Sequence, residues 1–274
     1  MKIFRTRDGI VVERDAQFYY VNEDWDRFIN DDSIHKKLKA LTSVPGTTGG
    51  LAGKQILPPI GNQEVWACGV TYLRSKVGRE EESKSAGGGD FYARVYEAER
   101  PEIFFKSTAH RVVGHNGKVR IRRDSTWNVP EPELTLAVTS SGKIIGYTIG
   151  NDMSSRSIEG ENPLYLPQAK TYDGAAAIGP CIYITDGPLP GNTAIQMSIM
   201  RGGSVVFAGS VDINQIVRKF EDLVSFLYRE CSFPYGSLVM TGTGIVPGNE
   251  FTLQQGDEIR ITIEPIGTLS NIVA

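Results

Sequence analysis

A predicted β-hairpin over residues 130–152 constrains the fold of this chain more than any other stretch. Apolar and partly β-branched residues fill 134–138 and 144–149, as expected for two buried strands. Residues 140–143, Ser-Ser-Gly-Lys, separate the two runs and favour a turn, because Gly142 can adopt a positive φ. We therefore expect these segments to pair as antiparallel neighbours.

The predicted register of this hairpin brings three carboxylates together. Symmetric pairing about the turn would place Glu133 opposite Gly150 and Glu131 opposite Asp152. Directly opposed residues share a face of the sheet, with Cβ atoms roughly 5 Å apart. Glu131 and Glu133 share that face as well, because they lie two apart on one strand. Gly150 has no side chain and would leave room between the carboxylates.

Three carboxylates at one point repel each other unless a cation or protons neutralise them. A ligand set made only of carboxylate oxygens suits a hard ion such as Mg²⁺, Mn²⁺ or Ca²⁺ rather than zinc. The alternative is that Glu131 and Glu133 lie on a solvated strand face paired with Lys or Arg, since surface charge is common. Pro130 and Pro132 favour an irregular or edge strand at this point.

The overall composition is typical of a globular protein with one large domain, or with one large and one small domain. The chain has 274 residues, of which 40% are hydrophobic and 22% charged, and its net charge is −3. This balance does not indicate a nucleic-acid-binding protein. The stiff segment Leu57-Pro58-Pro59-Ile60 predicts an extended linker. We therefore predict a small α+β N-terminal domain at 1–60 and a larger domain at 61–274.

The three cysteines, Cys68, Cys181 and Cys231, form no Cys-x-x-Cys pair. Their odd number and wide spacing favour buried free thiols in a reducing compartment. The N-terminus lacks the pattern of a secretory signal. No apolar run approaches the ~18 residues that a membrane span needs. These features predict a cytoplasmic protein without a membrane partner.

The end of one predicted strand delivers polar side chains to a place where a ligand can bind. A buried strand at 65–70 is followed by Tyr72 and Arg74, and a strand that begins at Leu238 ends in a Gly-Thr loop containing Thr243. The charged segment 74–89 ends in three glycines, and it would be either a lid or a floppy surface loop. A helix is predicted to follow over 91–100.

Lys170 is a lone lysine in an apolar, proline-fixed segment, 163–170. Such a lysine normally extends to the surface, but near a metal ion its pKa would fall and it could act as a base. Residues 153–156 are predicted to turn away from the carboxylates. Apolar residues at helical spacing predict an amphipathic helix over 213–228 that packs on the sheet.

Taken together, the motifs resemble the fumarylacetoacetate hydrolase superfamily. The matching segments are PEIFFK (101–106), EPEL (131–134), GYTIGNDMSSR (146–156), LPQAK (166–170), TGTGIVPG (241–248) and QGDEIRITIEPIGTLSN (255–271). With the strand at 65–70 they cover about residues 65–271 in order and spacing. RPEIFFK, VPEPEL and ENPLYLPQAK are most similar to the branch typified by 2-keto-3-deoxy-D-arabinonate dehydratase.

This resemblance implies an α+β, mostly β protein. Its catalytic domain would be a mixed β-roll or barrel-like structure, usually homodimeric, preceded by a small N-terminal domain. The resemblance also implies a divalent ion, usually Mg²⁺, on Glu131, Glu133 and Asp152, in agreement with the predicted register. The active-site lysine of the family falls on Lys170, and the catalytic carboxylate of the dehydratase branch falls on Glu102.

The sequence departs from the family pattern at two places. Hydrolase and decarboxylase members usually carry His-x-x-Glu just after the first buried strand, whereas residues 72–75 here are Tyr-Leu-Arg-Ser. The missing histidine counts against a C–C bond hydrolase that activates water. The Ser-x-Arg-Asp motif of the family is Ser-Ser-Arg-Ser at 154–157, so that an acidic contact is replaced.

We therefore predict a Mg²⁺-dependent lyase that dehydrates a 2-keto-3-deoxy sugar acid. The ion would act as a Lewis acid and stabilise the enolate formed when a C3 proton leaves, while Lys170 and Glu102 divide the acid and base roles. The candidate substrate contacts are Tyr72, Arg74, Gln168 and Thr243. One alternative is an acylpyruvate hydrolase or an oxaloacetate-type decarboxylase or isomerase. The other is a non-catalytic binding protein stabilised by its metal ion.

Overall fold

A computed structural model describes residues 1–73 and 94–274. The strands of these residues are β1 (Lys2–Thr6), β2 (Gly9–Arg14), β3 (Gln17–Val21), β4 (Ile56–Leu57), β5 (Glu64–Gly69), β6 (Glu102–Thr108), β7 (Val112–Val113), β8 (Lys118–Val119), β9 (Asn128–Val138), β10 (Ile144–Ser155), β11 (Ala176–Tyr183), β12 (Ala194–Arg201), β13 (Ser204–Asp212), β14 (Ser237–Met240), β15 (Glu258–Ile263) and β16 (Gly267–Val273). The helices are α1 (Trp25–Ile29), α2 (Ile34–Leu41), α3 (Arg156–Glu161), α4 (Leu166–Lys170) and α5 (Phe220–Tyr228), with 3₁₀ turns at Ala109–Arg111, Pro163–Tyr165 and Ile213–Gln215.

Two mixed sheets form the architecture. The larger sheet has the order β3-β2-β1-β11-β10-β9-β14-β5-β6, with β4 paired to β1 and β7 to β11, and the smaller has the order β13-β12-β15-β16-β8. Most pairs are antiparallel, whereas β14 and β5 run parallel. The predicted α+β, mostly β fold is confirmed. In the described residues the strand order of each sheet is an open path rather than a closed barrel.

The hairpin predicted for 130–152 is the β9–β10 pair, and it lies in the middle of the larger sheet. Glu133 pairs with Gly150 and Glu131 with Asp152, so the predicted register is confirmed. Gly142 in the turn has a φ of 82°, a conformation that favours glycine. A bulge between Ile144 and Gly146 lies next to the turn, and the pairing of the two strands is regular beyond it.

The prolines of β9 occupy positions where no backbone donor is needed. Strand β14 pairs with β9 only at 135–138, so Pro130 and Pro132 lie beyond its end. The Leu134 carbonyl accepts a hydrogen bond from Thr241 N at 3.0 Å. Even-numbered residues of this strand therefore direct their backbone groups away from β10. The predicted edge character is limited to this half of an otherwise central strand.

The N-terminal residues join the larger sheet through β1. Lys2 pairs with Tyr183 of β11, and Ile3 and Phe28 belong to the same apolar cluster as Leu238 of β14. Helix α2 follows at Ile34–Leu41, with Ile34 and Leu38 buried. Helix α1 was not predicted, and its N-cap Asp24 accepts a hydrogen bond from the Arg27 amide at 3.0 Å. The division into domains at 1–60 and 61–274 stays a prediction.

The prediction of one helix over 213–228 is wrong. Only 220–228 is α-helical, after a 3₁₀ turn at Ile213–Gln215. Ile216 forms a bridge with Tyr72, and the Val217 amide donates to the Thr71 carbonyl at 3.0 Å. Pairing with the end of another segment therefore overrides the helical periodicity of the sequence.

Two further predictions concern cysteines and membranes. Cys68 and Cys181 are buried free thiols as predicted, but Cys231 is exposed. Among the helices of the described residues, none is long and apolar enough to span a membrane.

Candidate active site

Strands β9 and β10 bring Glu131, Glu133 and Asp152 together in the interior of the protein. One oxygen atom from each carboxylate lies within 4.8 Å of the others, and all three side chains are buried. The alternative of a solvated strand face is therefore wrong. We predicted that Gly150 would leave space between the carboxylates, and this is wrong. The space that a Cβ of Gly150 would occupy is filled by Thr135 Oγ1 and the Met240 side chain.

A Gly-Thr loop after β14 contributes a backbone donor to the site. The amide of Gly242 donates a hydrogen bond of 2.5 Å to Oε2 of Glu133. Gly242 has a φ of 91°, and a Cβ there would run into the Thr71 side chain. The glycine thus allows the loop to approach closely enough for its amide to reach the carboxylate.

Lys170 ends helix α4 and is fully buried, with 0% of its surface exposed. Its Nζ lies 2.7 Å from Glu131 Oε2 and 3.0 Å from Asp152 Oδ2. It also donates to Ser154 Oγ at 2.6 Å. Lys170 is therefore part of the carboxylate cluster rather than a lysine that extends to the surface.

A second buried lysine, Lys106 of β6, was not predicted. Its Nζ forms an ion pair with Oδ1 of Asp152 and donates to the carbonyls of Met153, at 2.9 Å, and Lys170, at 2.5 Å. Burial alone would raise the pKa of Asp152, but Lys106 and then Lys170 outweigh it and hold that pKa below its ordinary value. The sequence carried a signal, because Glu102, Phe104 and Lys106 alternate along one strand.

The prediction that residues 153–156 turn away from the carboxylates is also wrong. Arg156 is buried, and its NH2 group lies 2.7 Å from Glu131 Oε1. Glu159 is buried as well, one turn of α3 further on, with its Oε1 at 3.9 Å from Lys170 Nζ. Glu159 therefore supplies an acidic neighbour of the cluster where the sequence motif has Ser157, whose hydroxyl contacts Ser125 Oγ at 2.9 Å.

Glu102 lies at the edge of the same site. It pairs with Gly69 across β5 and β6, and its carboxylate occupies the space that a Cβ on Gly69 would fill. Gly69 lines the cavity formed by Cys68, Gly69, Val70, Phe104, Glu131, Glu133, Asp152, Arg156, Lys170 and Thr243. Burial, and next the charges of Glu133 and Glu102, raise the pKa of the Cys68 thiol well above its ordinary value. Cys68 therefore lines the cavity as a neutral thiol.

The four predicted substrate contacts occupy different surroundings. Thr243 lines the cavity, and Tyr72 is buried near Glu133, whose charge adds to burial in raising the pKa of its hydroxyl. Gln168 is exposed, and its carbonyl accepts from Arg122 NH1 at 3.1 Å. Arg74, the predicted lid at 74–89 and the start of the helix predicted at 91–100 lie outside the described residues.

Sequence comparison decides the family of this chain. A model of the fumarylacetoacetate (FAA) hydrolase C-terminal family matches residues 77–274. The chain belongs to the fumarylacetoacetate hydrolase family. The resemblance predicted from the motifs is confirmed.

Two curated relatives and one solved structure that this chain resembles carry dehydratase names. A probable 2-keto-3-deoxyxylonate dehydratase from Haloferax volcanii is 49% identical over 216 residues, covering 78% of this chain and 73% of the relative. A 2-dehydro-3-deoxy-D-arabinonate dehydratase from Saccharolobus solfataricus is 45% identical over 218 residues, with 78% and 73% covered. A 2-keto-3-deoxy-D-arabinonate dehydratase complexed with magnesium and 2,5-dioxopentanoate has a TM-score of 0.85 and 38% identity, covering 100% of this chain and 98% of that chain.

The carboxylate cluster of this family member suits a divalent cation. Glu131 forms ion pairs with Arg156 and Lys170, and Asp152 forms them with Lys106 and Lys170. Within 1–73 and 94–274, no lysine or arginine forms an ion pair with Glu133. Burial, followed by the charges of Asp152 and Glu131, raises the pKa of Glu133 well above its ordinary value. A hard cation bound by these oxygens would relieve that repulsion, so the triad could hold magnesium.

Proposed function

We propose that this chain is a Mg²⁺-dependent hydro-lyase that dehydrates a 2-keto-3-deoxy sugar acid. The observation that carries the proposal is one cavity that joins the buried Glu131, Glu133 and Asp152 cluster to Lys170, with Glu102 at its edge. Such a site combines oxygen ligands for a metal ion with groups that can carry protons. The dehydratase names of the relatives support the same reaction.

In this proposal Glu131, Glu133 and Asp152 hold the ion. When bound, Mg²⁺ would supply Lewis acidity toward the 2-keto acid group of the substrate. Arg156 and Lys170 orient the carboxylates of Glu131 and Asp152 through the ion pairs described above. The Gly242 amide orients Glu133 in the same way.

Lys170 and Glu102 are the proposed proton-transfer groups. Dehydration breaks the C3–H bond and the C4–O bond of the substrate, and one group removes the C3 proton while the other protonates the leaving hydroxyl. Lys170 is fully buried, and the exclusion of water from its ammonium group strengthens its interaction with a bound substrate. Tyr72, Thr243, Gln168 and Arg74 are the proposed substrate contacts, and of these Thr243 lines the cavity.

We further propose a cytoplasmic homodimer with a small domain at 1–60 and a catalytic domain at 61–274. Strand β13 lies at one edge of the smaller sheet. It exposes 59% of Val205 and 41% of Val206. An exposed apolar edge strand is a surface that a second copy can cover. Light scattering of the purified protein tests the dimer, and a monomeric mass would contradict it.

The function is tested by incubating the protein with 2-keto-3-deoxy-D-arabinonate or 2-keto-3-deoxyxylonate, with Mg²⁺ and with a chelator. The 3,4-unsaturated keto acid left by this elimination tautomerises, with hydrogen moved from the C5 hydroxymethyl group to C3 and C4, to 2,5-dioxopentanoate, and we expect this product to form only with the metal ion. Faster metal-dependent turnover of acylpyruvates or oxaloacetate would replace the dehydratase by the hydrolase, decarboxylase or isomerase alternative. Tight metal binding without turnover of any keto acid would favour the non-catalytic binding protein.

A further inference from the structure

Lys106 is a buried cation that the proposed proton transfers do not use. None of its surface is exposed. Its Nζ contacts three acceptors, the Asp152 carboxylate and the carbonyls of Met153 and Lys170. An ammonium group has three N–H donors and no acceptor. Two of these donors are hydrogen-bonded to the carbonyls and the positive charge pairs with Asp152 Oδ1, so Lys106 has the geometry of a group that holds other groups in place.

The three acceptors of Lys106 belong to two of the elements that build the site. Asp152 and Met153 are consecutive residues of β10, and Lys170 is the last residue of α4. Helix α4 has five residues, too few to be stable alone, and its last carbonyls lack partners within the helix. Lys106 supplies a charged donor to one of these carbonyls, which is favourable at a helix C-terminus.

The contact with Asp152 also fixes the orientation of its carboxylate. Oδ1 faces Lys106, and Oδ2 accepts from Lys170 at 3.0 Å. Two ammonium groups on different elements thus hold the two oxygens of one side chain. A single partner would leave the carboxylate free to rotate about its χ2 torsion, which is a soft degree of freedom.

We propose that Lys106 is a positioning residue for the dehydration, and this inference rests on the proposed function. It orients Asp152 as a metal ligand and fixes the end of α4 that carries Lys170. Groups that contact metal ligands in this way typically contribute 10–100-fold to metal affinity or activity. A lysine that only neutralised a buried charge would contribute to folding stability instead.

The test is the Lys106→Met variant. Its affinity for Mn²⁺ is measured by calorimetry, and its dehydration rate is measured at saturating Mg²⁺. We expect the Kd for Mn²⁺ to rise by about 10–100-fold and kcat to fall by about the same factor, with little change in KM. The direction of the Mn²⁺ effect is diagnostic. Loss of a positive charge alone would strengthen the binding of a divalent cation, whereas loss of orientation weakens it.

A matched control is available at the same end of α4. Thr171 Oγ1 donates to the Phe105 carbonyl at 3.2 Å, so Thr171→Val removes a second tie to β6 without touching Asp152. Its Kd for Mn²⁺ should equal that of the wild type. Lys106→Gln keeps two N–H donors, and we expect it to give an effect between wild type and Lys106→Met on both Kd and kcat.

Three results would overturn the proposal. They are unchanged Kd and kcat in a folded Lys106→Met protein, tighter Mn²⁺ binding in that variant, and failure of both Lys106 variants to fold, which would assign Lys106 to the core alone. Wild-type protein that binds Mn²⁺ but dehydrates no 2-keto-3-deoxy acid would refute the proposed function instead. The Mn²⁺ comparison would still test whether Lys106 orients Asp152.

Discussion

Gly69→Ala tests the role of Glu102 without changing Glu102 itself. Strand β5 carries Gly69 directly opposite Glu102, and the carboxylate fills the space that a Cβ would need. The overlap is so close that Oε2 must withdraw by roughly 1 Å, because van der Waals repulsion rises steeply. The variant therefore keeps the carboxylate and its charge but moves it within the site.

A displacement of 1 Å in a proton-transfer site can cost about 100-fold in rate, which corresponds to roughly 2.7 kcal/mol in the activation barrier. We expect kcat of Gly69→Ala to fall by about this factor in the dehydration assay, measured with saturating Mg²⁺. The ion pairs that hold Glu131 and Asp152 involve Lys106, Arg156 and Lys170 and are not changed by the substitution. The Kd for Mn²⁺ should therefore change little.

Gly61→Ala is the matched control, because a Cβ there would crowd the buried carboxylate of Asp26 in the same manner. Asp26 accepts hydrogen bonds from Asn62 and Gln63 and belongs to the N-terminal region. We expect Gly61→Ala to lower the melting temperature while kcat stays at the wild-type value. A folded Gly69→Ala protein with wild-type kcat would refute the assignment of Glu102 to the reaction.

Three further predictions follow from the same geometry. Lys170→Ala should abolish turnover while Mn²⁺ binding persists on the three remaining carboxylates, and near-normal kcat would remove Lys170 from the mechanism. Glu102→Gln should release no product. If NMR in D₂O shows that this variant still exchanges the C3 proton of the substrate for deuterium, Glu102 has the acid role. If the exchange is lost, Glu102 has the base role. Full turnover by Glu102→Gln would contradict both roles. Leu136→Ala, in the core on β9, should lower the free energy of unfolding in urea by about 2–5 kcal/mol with unchanged kcat, and a loss of kcat without destabilisation would contradict this reasoning.

The convergence of the carboxylates could be predicted because it depends on local rules. Alternation along a strand and the position of a turn fix the register of a hairpin, and both are visible in the sequence around Gly142. The register of Glu131 with Asp152 then follows directly. The local sequence singles out Lys170 as a lysine in an apolar segment, but its place beside the carboxylates, like the choice of Thr243 as a contact, could be predicted only through the family motifs.

The sequence-based predictions were wrong where segments that are distant in sequence contact each other. Residues 216–217 have the spacing of a helix, but they pair with Thr71 and Tyr72, which lie far away in sequence. Lys106 and Arg156 look like ordinary surface charges in the sequence, and only the assembled sheet shows that both are buried against carboxylates. Burial of a charged residue depends on partners from other elements, which local pattern does not encode.

The carboxylates proposed to bind the metal ion and the groups around them come from different kinds of segment. Glu131, Glu133 and Asp152 lie on paired strands in the middle of a sheet, whereas Lys170 and Thr243 lie in connections between strands. Sheet positions tolerate little change because neighbouring strands fix them, while connections vary readily. Substrate preference in this scaffold can therefore change through connections that carry no proposed proton-transfer group, and an engineer seeking a new sugar-acid specificity should vary the connection that contains Thr243 while keeping the hairpin and Lys170.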